Sequence, residues 1–334
     1  MALTDWSALH GRHFQDVRVL VTGGAGFIGS HLTEALLQLG AHVTVLDDLS
    51  GGDEANLATL PQDRLQFVRG SILDETALTR CMKDCRYVFH QAALGSVPRS
   101  VAHPRLYAEV NITGTLNVLE AARAAGVQRV IFAASSSAYG DAPTLPKIET
   151  MPTSARSPYA ATKVAGEALL SAYSASYGLD TASLRYFNIF GPRQNANSAY
   201  AAVIAAFARA YLSGQRPIIY GDGEQSRDFT FVDNAVHANL LAARSEKPIG
   251  GQVMNVACGT RITVNQLAQM MARELEVPHL TPVYEAERAG DVKHSLAELS
   301  RVRQVLGYEP IVDFETGLRQ TVAWYRQADV AATR

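Results

Sequence analysis

The chain has 334 residues, of which 47% are hydrophobic and 19% charged, a composition typical of a globular protein with a large core. Its formal net charge of −2 gives no global basic field, which argues against nucleic acid or a membrane surface as a partner. No apolar run approaches the roughly 20 residues that cross a bilayer, and three cysteines are too few for a disulfide framework. We therefore expect a cytoplasmic protein without a metal site.

Short apolar runs alternate with helical stretches along the first half of the chain. This β-α-β-α order predicts an α/β fold, a doubly wound parallel sheet (Rossmann) covered by helices on both faces. We predict strands at residues 17–22, 42–47, 65–68, 86–91, 129–135 and 181–188, and helices at residues 27–39, near 77, and at 106–125 and 159–177.

The periodic pattern becomes less regular after Gly191, where turn signals recur at Gly214, at residues 221–223 and at residues 250–251. We interpret this part as a smaller second lobe that is interleaved with the first. The predicted division is a sheet domain over residues 1–184, with returns near 228–258, and a C-terminal α/β lobe over residues 185–334.

A glycine-rich turn follows the first predicted strand. Gly23, Gly26 and Gly29 form a G-x-x-G-x-x-G pattern that opens the first long helix. Glycine suits a tight turn, a backbone close to a pyrophosphate and a helix packed against the sheet, and the helix N-terminus offers N–H groups to phosphates. Asp47 ends the second strand, where a carboxylate accepts hydrogen bonds from ribose and repels a 2′-phosphate; the neighbouring Asp48 is the competing candidate. This favours NAD over NADP.

A serine, a tyrosine and a lysine form the candidate catalytic group. Tyr159 and Lys163 are four residues apart, so they lie on one face of the predicted helix. An ammonium group and an oxidised nicotinamide would each lower the pKa of the tyrosine, and a phenolate can take a hydroxyl proton as hydride leaves the same carbon. Ser135 lies at the carboxyl end of a predicted strand, which is where catalytic groups collect in parallel sheets. Its hydroxyl can hydrogen-bond the reacting oxygen.

Taken together, these residues resemble the extended short-chain dehydrogenase/reductase superfamily and, within it, the nucleotide-sugar 4-epimerases. The resemblance covers nearly the whole chain, through TGGAGFIG, LDDLS, HQAA, SSSAYGD, SPYAATK, RYFNIFGPRQ, GDGEQSRDF and RAGDVKHS. QAALGSVPRS and NSAYAAVI are typical of bacterial UDP-N-acetylglucosamine 4-epimerases. The resemblance implies an NAD-binding first domain, a nucleotide-sugar-binding lobe and a homodimer formed through the helices at 106–125 and 159–177.

The same resemblance assigns roles to individual residues. It implies that Tyr159 is the base, that Lys163 holds Tyr159 and the nicotinamide ribose, and that Ser135 assists. The implied NAD-binding residues are Gly23, Gly26, Phe27, Ile28, Gly29, Asp47, Ala92, Ala93, Tyr159 and Lys163. The implied UDP-sugar-binding residues are Ser96, Ser136, Ser137, Asn188, Tyr220, Arg227, Arg288, Asp291 and Ser295. One departure is Gly70-Ser71, where the family often has Gly-Asp with the carboxylate on the adenine amine.

Two parts of the sequence, the serine run at residues 135–137 and Ser295, indicate which reaction and which sugar to expect. Sister dehydratases and decarboxylases carry carboxylates where this chain has Ser135, Ser136 and Ser137, which favours epimerisation through a transient 4-keto sugar. Ser295 stands where the family has either a bulky tyrosine or a small residue, and a small side chain leaves room for an N-acetyl group while also admitting plain glucose and galactose.

Two alternatives stay open. A UDP-glucuronate 4-epimerase would need a cation at C6, for which Arg185 or Arg99 are candidates. A catalytically silent NAD-binding scaffold or sensor is the alternative of another class, although it would not need all three of Ser135, Tyr159 and Lys163.

Overall fold

A seven-stranded parallel sheet forms the centre of the fold, in the order β3-β2-β1-β4-β5-β6-β11. The computed structural model describes residues 4–195, 202–287 and 293–332, with side chains described up to residue 327. The strands are β1 (Arg18–Thr22), β2 (His42–Asp47), β3 (Leu65–Arg69), β4 (Tyr87–His90), β5 (Arg129–Ser135), β6 (Asp180–Tyr186), β7 (Ile189–Phe190), β8 (Ile218–Tyr220), β9 (Ser226–Arg227), β10 (Thr230–Phe231), β11 (Gln252–Val256), β12 (Ile262–Thr263) and β13 (Val283–Glu285).

Helices cover both faces of this sheet. They are α1 (Trp6–His10), α2 (Phe27–Gln38), α3 (Ala55–Ala58), α4 (Glu75–Cys81), α5 (Val97–Ala102), α6 (Pro104–Ala108), α7 (Gly114–Ala124), α8 (Pro158–Tyr177), α9 (Val203–Leu212), α10 (Val232–Arg244), α11 (Val264–Glu274), α12 (Ser300–Leu306) and α13 (Phe314–Ala332). Because side chains alternate along a strand, Val19 and Val21 pack into one core with α2 and α10, while Leu20 packs into a second core with α4, α7 and α8. The predicted doubly wound fold is confirmed.

Helix α8, which carries two of the predicted catalytic residues, has clear start and stop signals. Ser157 caps its first turn by accepting a hydrogen bond from the backbone N–H of Ala160, and Pro158 occupies the first helical position. Gly178 ends the helix in the left-handed conformation at φ +70°. These local signals explain why the sequence predicts both ends of this helix to within one residue.

The segment predicted as a helix over residues 106–125 is helical from residue 104 to residue 124, but it is not α-helical throughout. A π-helical turn over Glu109–Thr113 separates α6 from α7. Within it, the Asn111 side chain accepts from the backbone N–H of Leu94 at 2.9 Å and donates to the Leu94 carbonyl at 3.1 Å. The wider turn thus places an amide against the loop that follows β4, a tertiary contact that helical periodicity does not report.

The second lobe has a core of its own, built from helices α9, α11 and α13 and several two- and three-residue strands. The predicted domain boundary after residue 184 falls within β6, so the sheet domain extends slightly further than predicted. Helix α10 and strand β11 return to the sheet domain and lie within the predicted range 228–258.

A short N-terminal segment precedes the sheet and was not predicted. Trp6 and Phe14 are buried, and His10 Nε2 lies 3.1 Å from Nδ1 of His237 on α10. The Thr4 hydroxyl donates to Asp233 Oδ2 at 2.6 Å, again on α10. The segment therefore fixes the beginning of the chain to a helix that the chain forms more than two hundred residues later.

Candidate active site

A cavity of about 360 Å³ opens at the carboxyl ends of the parallel strands. It lies where β1 has β2 on one side and β4 on the other, the point at which the strand order reverses and where ligands bind in such sheets. All ten residues predicted to bind the dinucleotide line it: Gly23, Gly26, Phe27, Ile28, Gly29, Asp47, Ala92, Ala93, Tyr159 and Lys163.

The glycine-rich turn forms one wall of this cavity. At Gly23, with φ +70°, an added Cβ would lie 2.7 Å from the Cα of Ala92, and at Gly29 it would lie 2.1 Å from the Gly23 carbonyl oxygen. At Gly26 the nearest protein atom would be 3.2 Å away, so a side chain there would enter the cavity. The turn and the first turn of α2 therefore present bare backbone to a ligand, as a pyrophosphate requires.

Asp47 lies at the floor of the same cavity and is buried. Its Oδ2 accepts from the Ala25 N–H at 2.9 Å and its Oδ1 from the Leu49 N–H at 2.8 Å. Burial raises the pKa of Asp47, against the opposing effect of these hydrogen bonds. Asp48 also lines the cavity, but it is exposed and accepts from the Ser50 N–H at 2.9 Å. Asp47 thus braces the glycine-rich turn as well as facing the ligand space.

The structure brings Ser135, Tyr159 and Lys163 together at one end of the cavity. Ser135 ends β5, and its hydroxyl is the side-chain group that lowers the pKa of the Tyr159 phenol against the effect of burial. Lys163 is buried, its Nζ donates to the Ala133 carbonyl at 2.8 Å, and it lies 5.9 Å from the centroid of the Tyr159 ring. A hydroxyl, a phenol and an ammonium group therefore converge, which is the donor and acceptor set that alcohol oxidation needs.

The electrostatics differ from the expectation for Tyr159. Burial raises the pKa of the phenol, and the hydrogen bond with Ser135 is the effect that opposes it. Burial lowers the pKa of Lys163 to about 8, while the Glu167 carboxylate on the next helical turn acts in the opposite direction. Lys163 donates to the Ala133 carbonyl and not to the phenol oxygen, and burial is the largest effect on the pKa of Tyr159.

The other serines that were predicted to contact the sugar differ in their hydrogen bonds. Ser137 donates to Ser135 Oγ through its hydroxyl at 2.9 Å and through its N–H at 3.2 Å, and Ser136 is half-buried beside it. Ser96, another predicted sugar contact, caps α5 by accepting from the Arg99 N–H at 3.3 Å and is not among the residues that line the cavity. Ser137 thus holds the Ser135 hydroxyl in place.

A second cavity of about 260 Å³ lies in the smaller lobe. Asn188, Tyr220 and Arg227, three of the predicted nucleotide contacts, line it together with mostly apolar side chains. Arg227 donates to the carbonyls of Ser226 at 3.1 Å and of Lys293 at 3.2 Å. An arginine at the mouth of an apolar pocket suits a nucleoside diphosphate. Arg288 and Asp291, also predicted contacts, lie outside the described residues.

Ser295 comes after the residues that line this second cavity in the sequence, and its side chain is 9% exposed. Its N–H donates to the Ser226 carbonyl at 3.0 Å, which ties it to the strand that carries Arg227. The predicted size-selective residue is therefore buried and is not an ordinary surface serine; it does not line either cavity itself, but it contacts the neighbour of Arg227, which lines the second cavity.

Several lining residues were not predicted. Gln91 and Tyr186 both line the dinucleotide cavity, and Asn239 on α10 links them: it donates to the Tyr186 hydroxyl at 2.6 Å and accepts from the Gln91 amide at 3.1 Å. Gln225 lines the second cavity and donates to the Tyr220 carbonyl at 2.8 Å. Gln91 lies within the run HQAA, one of the motifs that carry the family resemblance, but no local sequence pattern predicts a contact for Asn239.

Arg185 does not fit the role considered for it, whereas the structure does not test the same role for Arg99. Arg185 is buried and donates to both carboxylate oxygens of Glu167 at 2.7 Å, so its charge is already matched inside the protein. Arg99 is exposed on α5. A cation for a sugar carboxylate is therefore not supplied by Arg185.

Two further observations concern metals and membranes. Across the three described stretches of chain, no cluster of three or more His, Cys, Asp or Glu side chains is arranged to hold a metal ion. Among the helices in those stretches, none combines the length and apolar character needed to cross a bilayer.

Comparison with known proteins points to one family. Residues 19–257 match the model of the NAD dependent epimerase/dehydratase family. A UDP-glucose 4-epimerase from Mycolicibacterium smegmatis is 40% identical over 314 residues, which are 93% of this chain and 99% of that protein.

Solved structures agree with this match. A UDP-N-acetylglucosamine 4-epimerase from Methanobrevibacter ruminantium, in complex with UDP-N-acetylmuramic acid, is 44% identical with a TM-score of 0.90, covering 94% of this chain and 99% of that one. A UDP-glucose 4-epimerase from Thermus thermophilus in complex with NAD is 37% identical with a TM-score of 0.83, covering 93% and 100%. The predicted resemblance is confirmed, and the chain belongs to the NAD-dependent epimerase/dehydratase family.

Proposed function

We propose that this chain is a UDP-hexose 4-epimerase that interconverts UDP-N-acetylglucosamine and UDP-N-acetylgalactosamine, and that also accepts UDP-glucose and UDP-galactose. The observation that carries the choice of sugar is Ser295, a small residue buried beside the pocket lined by Arg227. A hydroxymethyl side chain leaves the space that a 2-N-acetyl group needs. The relative of known structure with 44% identity is a UDP-N-acetylglucosamine 4-epimerase, which supports the same sugar.

The side chains near the phenol favour epimerisation over elimination or decarboxylation. Eliminating water across two sugar carbons needs an additional acid and base. The turn after β5 offers three hydroxyls, on Ser135, Ser136 and Ser137, and no carboxylate. Oxidation at C4 followed by reduction from the other side needs only the groups that this turn and α8 supply.

The dinucleotide cavity fits NAD, because bare backbone at Gly23, Gly26 and Gly29 leaves room for a pyrophosphate and Asp47 offers a carboxylate to a ribose. When bound, NAD supplies a reversible hydride acceptor. Lys163 would contact the nicotinamide ribose, from its position at the end of the cavity.

Side chains of the protein carry out the proton transfers. Tyr159 acts as the phenolate, the form that the Lys163 ammonium and the positive charge of oxidised NAD would favour. Its Oη takes the proton of the C4 hydroxyl, and the Ser135 hydroxyl, held by Ser137, hydrogen-bonds the same sugar oxygen. The Lys163 ammonium stabilises the negative charge on the phenol side of this exchange. Arg227 holds the diphosphate while the 4-keto hexose turns over between the two cavities. Tyr159 then returns the proton, so the cycle consumes neither acid nor base.

The rival readings make different predictions. A UDP-glucuronate 4-epimerase lacks support from Arg185, whose guanidinium is bound to Glu167. A silent NAD-binding scaffold would bind the dinucleotide and turn over no UDP-sugar.

The test is proton NMR of purified protein without added NAD, mixed separately with UDP-N-acetylglucosamine, UDP-glucose and UDP-glucuronate. We expect the galacto epimer of the N-acetyl sugar to form faster than that of UDP-glucose. Ser295→Tyr should lose the first activity and keep the second, which also shows that this variant folds. Tyr159→Phe should lose both by a factor of about 100 or more. No turnover of any sugar, even with NAD supplied, would refute the proposal.

We also propose that the protein is a cytoplasmic homodimer formed through α7 and α8. Leu116 on α7 and Tyr177 on α8 are large apolar residues exposed to 38% and 57%. Light scattering at micromolar concentration would give the mass of two chains, and Leu116→Glu should shift it to one.

A further inference from the structure

The helix that carries Tyr159 and Lys163 also carries a buried carboxylate, Glu167. These three residues follow at intervals of four on α8 and therefore share one face. Glu167 accepts from Arg185 on β6 in a two-pronged ion pair, with Nε to Oε1 and Nη2 to Oε2 both at 2.7 Å. The side chains are 6% and 3% exposed, so the pair is buried in the protein.

Arg185 also contacts the turn that carries Ser135. Its guanidinium carbon lies 4.6 Å from the ring centroid of Tyr139, a buried residue at the end of the turn Ser136–Tyr139. The Tyr139 hydroxyl donates to Asn255 Oδ1 on β11 at 2.6 Å. A continuous chain of contacts thus runs from α8 through Glu167 and Arg185 to the turn that immediately follows Ser135.

These contacts join the two structural elements whose side chains must meet for proton transfer. Tyr159 and Lys163 come from α8, whereas Ser135 comes from β5 and its turn. A buried ion pair is costly to desolvate and contributes little net stability compared with apolar packing. Its geometry, in contrast, is well defined, because a guanidinium fork and a carboxylate fix each other's orientation.

The charge of Glu167 also acts on Lys163. The titratable groups around Lys163 are Tyr159 and Glu167 on its own helix, His90 on β4 and Tyr186 on β6. Burial keeps His90 neutral by lowering its pKa to about 3, and burial raises the pKa of Tyr186 to about 12. Glu167, the carboxylate partner of the Arg185 guanidinium, is therefore the negatively charged group in this set and favours the ammonium.

We propose that Glu167 and Arg185 are positioning residues for the epimerase reaction, which hold α8 in register with the Ser135 turn and support the positive charge of Lys163. The inference rests on the proposed 4-epimerase activity for its kinetic consequence. Its electrostatic consequence for Lys163 is independent of the substrate.

The chain offers a control ion pair on β5, the strand that ends in Ser135, and β6, the strand that carries Arg185. Arg129 begins β5 and Asp180 begins β6, and Arg129 Nε donates to Asp180 Oδ2 at 2.6 Å. Their side chains are 3% and 15% exposed, so Arg129 is buried and Asp180 is half-buried. It lies at the opposite end of the strands from Ser135, so the same carboxylate-to-amide change there tests loss of an ion pair without proximity to the catalytic group.

The experiment compares Glu167→Gln, the double variant Glu167→Met/Arg185→Met, and Asp180→Asn, each as the NAD holoenzyme. The chain contains only five lysines, so labelling the lysine side chains with carbon-13 at Cε allows their titration to be followed by NMR, with Lys163→Arg identifying one signal. The double variant removes both charges and keeps a packed core should the single variant fold poorly. Activity is measured with UDP-N-acetylglucosamine in parallel.

We expect the Lys163 midpoint to fall by about one pH unit in Glu167→Gln, to fall by less in the double variant because the Arg185 cation is lost as well, and to stay unchanged in Asp180→Asn. We expect kcat to fall about tenfold, with KM within about twofold, because the geometry of proton transfer is disturbed and not the grip on the nucleotide. An unchanged Lys163 midpoint in the Glu167 variants, or an equal effect of Asp180→Asn, would overturn the inference. If wild-type protein turns over no UDP-sugar, the proposed function fails, and the Lys163 titration still decides the electrostatic part.

Discussion

Gly29 is the position where the smallest change should have the largest effect on NAD binding. In Gly29→Ala the new Cβ would lie 2.1 Å from the Gly23 carbonyl oxygen and 2.9 Å from the Gly24 Cα. Real Cβ atoms stay at least 3.0 Å from such neighbours, so the start of α2 and the turn must separate by about 1 Å. Overpacking of this kind costs about 1–3 kcal/mol.

The same displacement moves the backbone N–H groups that a pyrophosphate would contact. Since each 1.4 kcal/mol changes an equilibrium constant about tenfold, we expect the affinity for NAD to fall about 10- to 100-fold. The assay is isothermal titration calorimetry with NAD, together with the NAD content of the purified protein and a thermal melt to confirm folding.

Gly51→Ala is the matched control for this experiment. Gly51 lines the same cavity, but an added Cβ there would have no protein atom within 4 Å. We expect this variant to bind NAD within about twofold of wild type and to melt at the same temperature. Wild-type affinity in Gly29→Ala, or an equal loss in both variants, would refute the argument that close packing at the turn sets dinucleotide affinity.

Three further results are expected. Because burial lowers the pKa of Lys163 to about 8, epimerase activity should fall as the pH rises through that value, and a profile flat to pH 10 would contradict an essential ammonium. Burial lowers the pKa of His90 to about 3, so below pH 6.5 this histidine binds a proton in the unfolded chain but not in the folded chain. The difference should lower the free energy of unfolding by about 2 kcal/mol by pH 5, as measured by urea unfolding. In His90→Asn the free energy of unfolding should fall less steeply with decreasing pH. Asn111→Ala leaves the buried N–H and carbonyl of Leu94 without their side-chain partner and should lower the free energy of unfolding by about 1–3 kcal/mol, whereas a neutral result would mean that water replaces the amide.

The features that the sequence predicts well are those with local causes. The glycine-rich turn and both ends of α8 are determined by residues within a few positions of each other, such as Ser157 and Gly178. The spacing of Tyr159 and Lys163 on one helical face is local as well, and Ser135 follows from the end of a strongly apolar strand.

The features that the sequence does not predict depend on distant partners. Asn239 meets Gln91 across 148 positions, and no periodicity reports such a pair. Arg185 is the opposite case, a residue that the sequence suggests as a sugar ligand and the structure assigns elsewhere. Its guanidinium is bound to Glu167, a partner that the sequence alone does not reveal. The smaller lobe has strands of only two or three residues, too short for an alternating pattern, so its pocket around Gln225 and Tyr220 was only partly anticipated.

The docking of the N-terminal segment on α10 has a consequence for how the protein is made. The contacts from His10 to His237 and from Thr4 to Asp233 span 227 and 229 positions. At roughly 5–20 residues per second, a ribosome needs about 10 to 45 seconds to supply α10 after α1 has been synthesised. During that time Thr4 and His10 lack their partners on α10, so this segment completes its contacts only after α10 has been synthesised. In a Trp324→Phe variant, the fluorescence of Trp6 would follow this docking during refolding.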